Sequence, residues 1–273
     1  MDISSPKLGR RREGVHGWYS YYAGFSDSFV NDAIEMYSRE ADSVLDPWNG
    51  SGTTTYISKS LKRRAFGVDI NPALVIVAKA KLIDPEICSS LSPLAKEICG
   101  DLDFLDICEN DGLSHWFSPS TVRFIRSLEV SIFTHLVSPL SGRIYATDIP
   151  VSSYSPLASI YYLALFRLVR RSLYSFKTSN PTWIKVAKDD KEKIEISDRL
   201  LQEKFCQEVE SFRDTIKDQP CLSSGYESYI SQGSSRSLCL EDQSIDCVVS
   251  SPPYCTRIDY VRATLPELAV VMR

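Results

Sequence analysis

The chain has 273 residues, 43% of them hydrophobic and 24% charged, the balance of an ordinary globular protein with ample chain for a core. A formal net charge of −4 excludes a sequence-blind polycation, and no run of about 18 uncharged apolar residues is present to cross a membrane. Eight cysteines are scattered without a CxxC pair and histidines number only three, so neither a disulfide framework nor a metal site is expected.

The first 40 residues begin with a basic tail (Lys7, Arg10, Arg11, Arg12) and continue into an aromatic cluster, Trp18, Tyr19, Tyr21, Tyr22 and Phe25. No apolar stretch follows the basic residues, which argues against a secretory signal, and the cysteines read as reduced thiols of a cytoplasmic protein. Ser26-Asp27-Ser28 then caps a helix whose apolar face is Phe29, Val30, Ala33, Ile34 and Met36. Residues 41–85 alternate strand, turn, helix, strand, helix: a strand at 43–45, a glycine-bearing turn at 46–52, a helix from Thr53 to Leu61, a strand at 65–68 and a helix from Asn71-Pro72 to Lys81. Such alternation implies a parallel sheet. Residues 86–230 read as a mainly helical insertion, with periodic segments at 119–138, 154–176 and roughly 188–217. In it Trp116 and Phe117 read as core, and His115 and His135 as packing or surface residues. Residues 231–273 return to the α/β pattern with the apolar strand SIDCVVS (244–250), a proline turn, and a helical segment from Tyr260 to Met272 that contains Pro266. The expected organisation is an N-terminal ligand-binding half (1–85), the insertion (86–230) and a C-terminal segment (231–273).

Two motifs carry chemistry. In VLDPWNGSGTT (44–54) a strand runs into a glycine turn and then a helix, so backbone N–H groups and a helix N-terminus can meet a ligand. Asp46 closes the strand where open α/β sheets bind ligands. Asp69 closes the next strand 23 residues later, near the offset at which an acid takes ribose hydroxyls. The pair suits a nucleoside with a nearby cation, and S-adenosylmethionine is such a molecule; a structural turn with a capped helix is the competing reading. In SSPPY (250–254) two prolines fix the backbone, a hydroxyl and a rigid carbonyl can accept from an exocyclic amine, and Tyr254 offers a flat face to a base. A proline-rich surface turn is the competing reading there.

These residues resemble the DNA amino-methyltransferases. DPWNGSGTT (46–54) is similar to their cofactor loop, with Trp48 in the usual phenylalanine position. GVDINP (67–72) resembles their second cofactor motif, HGWYSYYAGFSDSFV (16–30) the segment before the loop, and SPPY (251–254) the catalytic motif in the form with a leading serine more typical of cytosine-N4 enzymes. In QGSSRS (232–237) Ser234 stands where that family usually has an acid. The resemblance implies a Rossmann-like, S-adenosylmethionine-dependent fold. It implies cofactor contacts from Phe25, Asp46, Pro47, Trp48, Gly50, Ser51, Gly52, Thr53, Asp69, Ile70 and Gly233, and catalysis by Ser251, Pro252, Pro253 and Tyr254. The implied reaction is direct methyl transfer to an amine of double-stranded DNA, cytosine N4 foremost, in a restriction-modification setting and without a metal or a cysteine nucleophile.

Arg167, Arg170 and Arg171, spaced i, i+3 and i+4, and Lys177 are the candidates for DNA contact. Alternatives are an RNA amino-methyltransferase and a non-catalytic subunit that works with another chain. Only one helical segment follows the catalytic motif, so a second polypeptide, or self-association, is expected to cover the SIDCVVS strand, with a strand near 237–240 lying between it and the cofactor strands.

Overall fold

A computed structural model describes residues 3–9, 13–21, 24–104, 108, 110–138, 149–180, 183–219, 222, 225–254 and 259–272; Arg10 to Arg12, Tyr22, Cys221 and Cys255 lie outside the described residues. In chain order the elements are α1 (Asp27–Tyr37), β1 (Ser43–Asp46), α2 (Thr53–Ser60), β2 (Arg64–Asp69), α3 (Pro72–Ala80), α4 (Cys88–Gly100), α5 (Pro119–Leu136), α6 (Pro156–Ser172), α7 (Asp198–Lys217), β3 (Ser228–Gln232), β4 (Cys247–Val248), α8 (Tyr260–Ala263) and α9 (Leu265–Val271).

All four strands run parallel in one sheet, ordered β3-β2-β1-β4. The chain builds outward from β1 through β2 to β3, then crosses back to the other side of β1 to lay down β4. That reversal creates a switch point at the carboxyl ends of β1 and β4, where open α/β sheets bind ligands. The fold is α/β and Rossmann-like. Each residue of β1 is buried, as a strand covered on both faces must be. Helix α3 starts where Asn71 accepts the Ala73 N–H at 3.0 Å, with Pro72 in its first turn.

Helices α3 and α6 are apolar almost all round, the mark of helices with neighbours on every side. Helix α6 packs on α3, α5, α7 and α9. One continuous apolar core therefore joins α4 to α7 with the helices of the sheet. Trp116 and Phe117 belong to it, both fully buried. Among the described residues, no helix is long and apolar enough to cross a membrane.

The structure departs from the sequence reading in several places: α7 begins only at Asp198 and not near 188, and the strand read at 244–250 is confined to Cys247–Val248. A strand begins at Ser228, inside the stretch read as helical, and pairs with β2 from Ala65↔Ser228 to Asp69↔Gln232. The expected strand near 237–240 does not form: the chain turns tightly there, with the Ser237 N–H donating to the Ser234 carbonyl at 3.0 Å. Nothing intervenes between β4 and β1, which pair directly through Val44↔Cys247 and Leu45↔Val248. The segment after the proline turn is two helices broken at Thr264, because Pro266 fits a first turn and not a helix interior.

Candidate active site

The glycine loop is organised by two carboxylates. Asp46, at the end of β1, is 2% exposed. Its Oδ1 accepts the Trp48 N–H at 3.1 Å, and its Oδ2 lies 2.8 Å from the Thr54 hydroxyl. Asp69, at the end of β2, accepts the Gly50 N–H on one oxygen at 2.7 Å and the Asn71 N–H on the other at 2.9 Å. Burial raises both carboxyls, Asp46 to about 6. Gly50 and Gly52 have positive φ, +51° and +78°, which bends the turn so that α2 starts at Thr53. The Asn49 N–H donates to the Val68 carbonyl at 3.0 Å, fastening the loop to β2.

The proline loop is tied to the same carboxylate. The Ser250 hydroxyl donates to Asp46 Oδ1 at 2.6 Å, and the Thr54 hydroxyl lies 3.3 Å from the Val249 carbonyl oxygen. Two motifs separated by about 200 residues in sequence thus meet on one buried acid.

Both loops open onto a cleft of about 770 Å³ at the carboxyl ends of the strands. Of the expected cofactor residues, Phe25, Asp46, Trp48, Gly50, Ser51, Thr53, Asp69 and Ile70 line it; of the expected catalytic residues, Ser251 and Pro253 do. Pro47, Gly52, Gly233 and Pro252 do not line it. Gly52 packs toward Ala78 of α3, and the Gly233 N–H donates to the Asp69 carbonyl at 2.9 Å, so both act on the backbone around the cleft. Tyr254 also lies outside the lining, 72% exposed, with its N–H donating to the Tyr260 hydroxyl at 3.1 Å.

Sequence reasoning missed several lining residues. Tyr21, Asn71, Gln232, Tyr260 and Val261 contribute, as do Ile149 to Val151 from the segment before α6 and Leu268, Val271 and Met272 from α9. Asn71 also reaches Thr264 at 2.7 Å, joining the start of α3 to the break between α8 and α9. A smaller cavity of about 410 Å³, lined by Lys7, Glu13 and His16 among others, shares Phe25 and Thr53 with the cleft.

The arginines expected to meet DNA do not form a free cationic face. Arg167 pairs with buried Glu208 at 2.8 Å and lies over the Phe212 ring. Arg171 pairs with the same Glu208. Arg170 holds the fully buried Glu267 of α9 through two bonds. Buried acids had to be matched, and these three cations match them. Lys177 is exposed and lies over the Tyr174 ring at 5.2 Å.

Residues 7–80 match the family model described as DNA methylase. The chain is similar to the type II methyltransferase M.BsoBI of Geobacillus stearothermophilus, 27% identical over 95% of this chain and 53% of that protein. It is similar to M.AvaI of Nostoc sp., 24% identical over 93% of this chain and 53% of that protein. A shorter match, 30% identical, covers 30% of this chain and 15% of M.MjaII of Methanocaldococcus jannaschii. The chain spans about half the length of the first two of these relatives. No solved structure matches it. In the family match over its glycine loop, in the similarity along nearly its whole length and in a parallel sheet with that loop at its switch point, the chain is similar to the DNA methyltransferases.

Proposed function

We propose that this chain carries the cofactor and catalytic loops of an S-adenosylmethionine-dependent methyltransferase acting on an exocyclic amine of DNA, cytosine N4 in first place. The observation that carries the reading is the meeting of the glycine loop and the proline loop on one cleft, through Asp46, Ser250 and Thr54. The cleft fits the cofactor. Its volume is that of a small-molecule site. Each Asp69 oxygen accepts one backbone N–H, which leaves lone pairs for a ribose diol. Phe25, Trp48 and Ile70 supply apolar surface for an adenine ring.

When bound, S-adenosylmethionine supplies a methyl group activated by a sulfonium. The chain's own residues position the acceptor. The Ser251 hydroxyl and the Pro252 carbonyl accept the two N–H bonds of the target amine, and Tyr254, free toward solvent, stacks on the flipped ring. Held there, the amine would keep its lone pair toward the donor, and the proton it loses on methylation would pass to solvent. The leading serine of SPPY supports cytosine over adenine, and the type II methyltransferase relatives support DNA as substrate.

Titration calorimetry with S-adenosylmethionine, and transfer of labelled methyl to duplex DNA followed by base analysis, test this reading. Binding is expected, weakened by about 1–3 kcal/mol in Asp69→Ala because ribose hydroxyls lose their acceptor. The methylated base is expected to be N4-methylcytosine. Tyr254→Ala is expected to lower turnover with little change in cofactor affinity, since its ring lies outside the cofactor lining. Equal affinity in Asp69→Ala, or N6-methyladenine as product, would overturn the corresponding assignment.

A further inference from the structure

Arg167 and Arg170 of α6 are held by buried acids, and exposed Arg171 is paired with one of them, which turns attention to other cations around the cleft. Helix α8 borders the cleft directly, since its first two residues, Tyr260 and Val261, line it. The next residue, Arg262, places its guanidinium 4.6 Å from the centre of the Trp183 ring. Trp183 is 48% exposed and stands next to an antiparallel bridge, Lys177↔Ile184. That bridge is reinforced: the Lys185 N–H donates to the Phe176 carbonyl at 3.0 Å, and the Thr178 hydroxyl reaches the Trp183 carbonyl oxygen at 3.1 Å. Fully buried Trp116 donates its indole N–H to the Lys185 carbonyl at 2.7 Å. From 174 to 188 the chain holds three lysines, Lys177, Lys185 and Lys188, and no acid. Tyr174 and Trp183 stand exposed among them.

We propose that Trp183, Tyr174 and the lysines at 177, 185 and 188, together with Arg262 over the Trp183 ring, are the rim on which the DNA backbone lies while the target base occupies the cleft. The proposal rests on the reading of the cleft as a DNA-methylating site. Exposed aromatics interleaved with lysines are what a nucleic-acid strand requires, a stacking face and counter-charge for its phosphates. A guanidinium already held over a ring loses little freedom when it bonds a phosphate. Among the described residues the acid paired with it is Asp259, at 3.4 Å from Arg262, which is half exposed and can yield the cation to a phosphate. A protein partner is disfavoured by the same lysines, which protein interfaces tend to exclude from their centres.

Fluorescence anisotropy of the full chain with a labelled 30-base-pair duplex of mixed sequence, from 50 to 200 mM salt, tests the rim. Trp183→Ala and the surface double variant K185E/K188E are each expected to weaken binding at least fivefold. The double variant is also expected to flatten the salt dependence by one to two in slope, about 0.9 for each phosphate left without its lysine. Lys96→Glu on α4 is the control and is expected to bind like the parent. Unchanged affinity in both rim variants overturns the proposal, and should Trp183→Ala fail to fold, the lysine variant decides alone. A parent chain that binds S-adenosylmethionine but no duplex at 50 mM salt, or that prefers an RNA duplex of the same sequence, overturns the rim and leaves the cofactor reading standing. Loss of cofactor binding with the rim effects intact removes the cofactor reading and leaves the rim.

Discussion

At Gly52 the backbone takes φ +78°, and a Cβ built there would lie 2.6 Å from the Ala78 Cβ and 2.8 Å from its Cα. The left-handed turn and the close approach of α3 both exclude a side chain. Gly52→Ala is expected to cost at least about 1–3 kcal/mol, read as a fall in the urea midpoint. Asp46 gives a pH-dependent prediction. Burial lifts its carboxyl from 3.8 to about 6 against the lowering by the Ser250 and Thr54 hydroxyls. Between those values the folded protein holds a proton that the unfolded chain has released. The stability this group contributes is therefore present below pH 3.8 and lost as the pH rises through about 6. Asp46→Asn carries no such dependence, so its stability relative to the parent is expected to improve by up to about 3 kcal/mol between pH 4 and pH 7. Urea unfolding at both values checks it; parallel pH profiles would show that another group titrates. The two aspartates and the glycines were legible because a βα turn sets their spacing through the backbone. Tyr260 and the 149–151 segment were not, because distant elements bring them to the cleft.

Among the elements, α9 shows how a short helix is held. Arg126 of α5, paired with Asp111 at 2.6 Å, donates to the carbonyls of Ala269 and Val270 at 2.6 and 2.7 Å, satisfying groups that the last helical turn leaves open. Arg170 of α6 secures the same helix through Glu267. Arg170→Met strands a buried carboxylate and is expected to destabilise by about 3–5 kcal/mol, whereas R170M/E267M is expected to recover most of that loss. Thermal unfolding of the single and double variants separates the two outcomes. The helical spacing of Arg167, Arg170 and Arg171 was correct, but spacing describes one helix and says nothing about which acids face it from others. Periodicity located α5, α6 and α7. It did not locate β3, whose sequence SYISQ has one buried apolar residue and takes its strand form from pairing with β2.

Across the whole molecule, the helices between β2 and β3 share one core with the sheet. Unfolding is therefore expected as a single transition, with helical circular dichroism and tryptophan fluorescence falling together in urea. Two separated transitions would mean that the helices fold as a unit of their own. The single buried carboxylate that grips both loops has a further consequence. A molecule that steadies the glycine turn changes the free energy of placing the proline turn, because Asp46 is a partner to each. Affinity gained at one pocket by filling the other must be returned by the same factor in the opposite direction, whichever ligand arrives first. Any ligand held by the glycine turn and any ligand held by the proline turn are thereby linked through the acid at the end of β1.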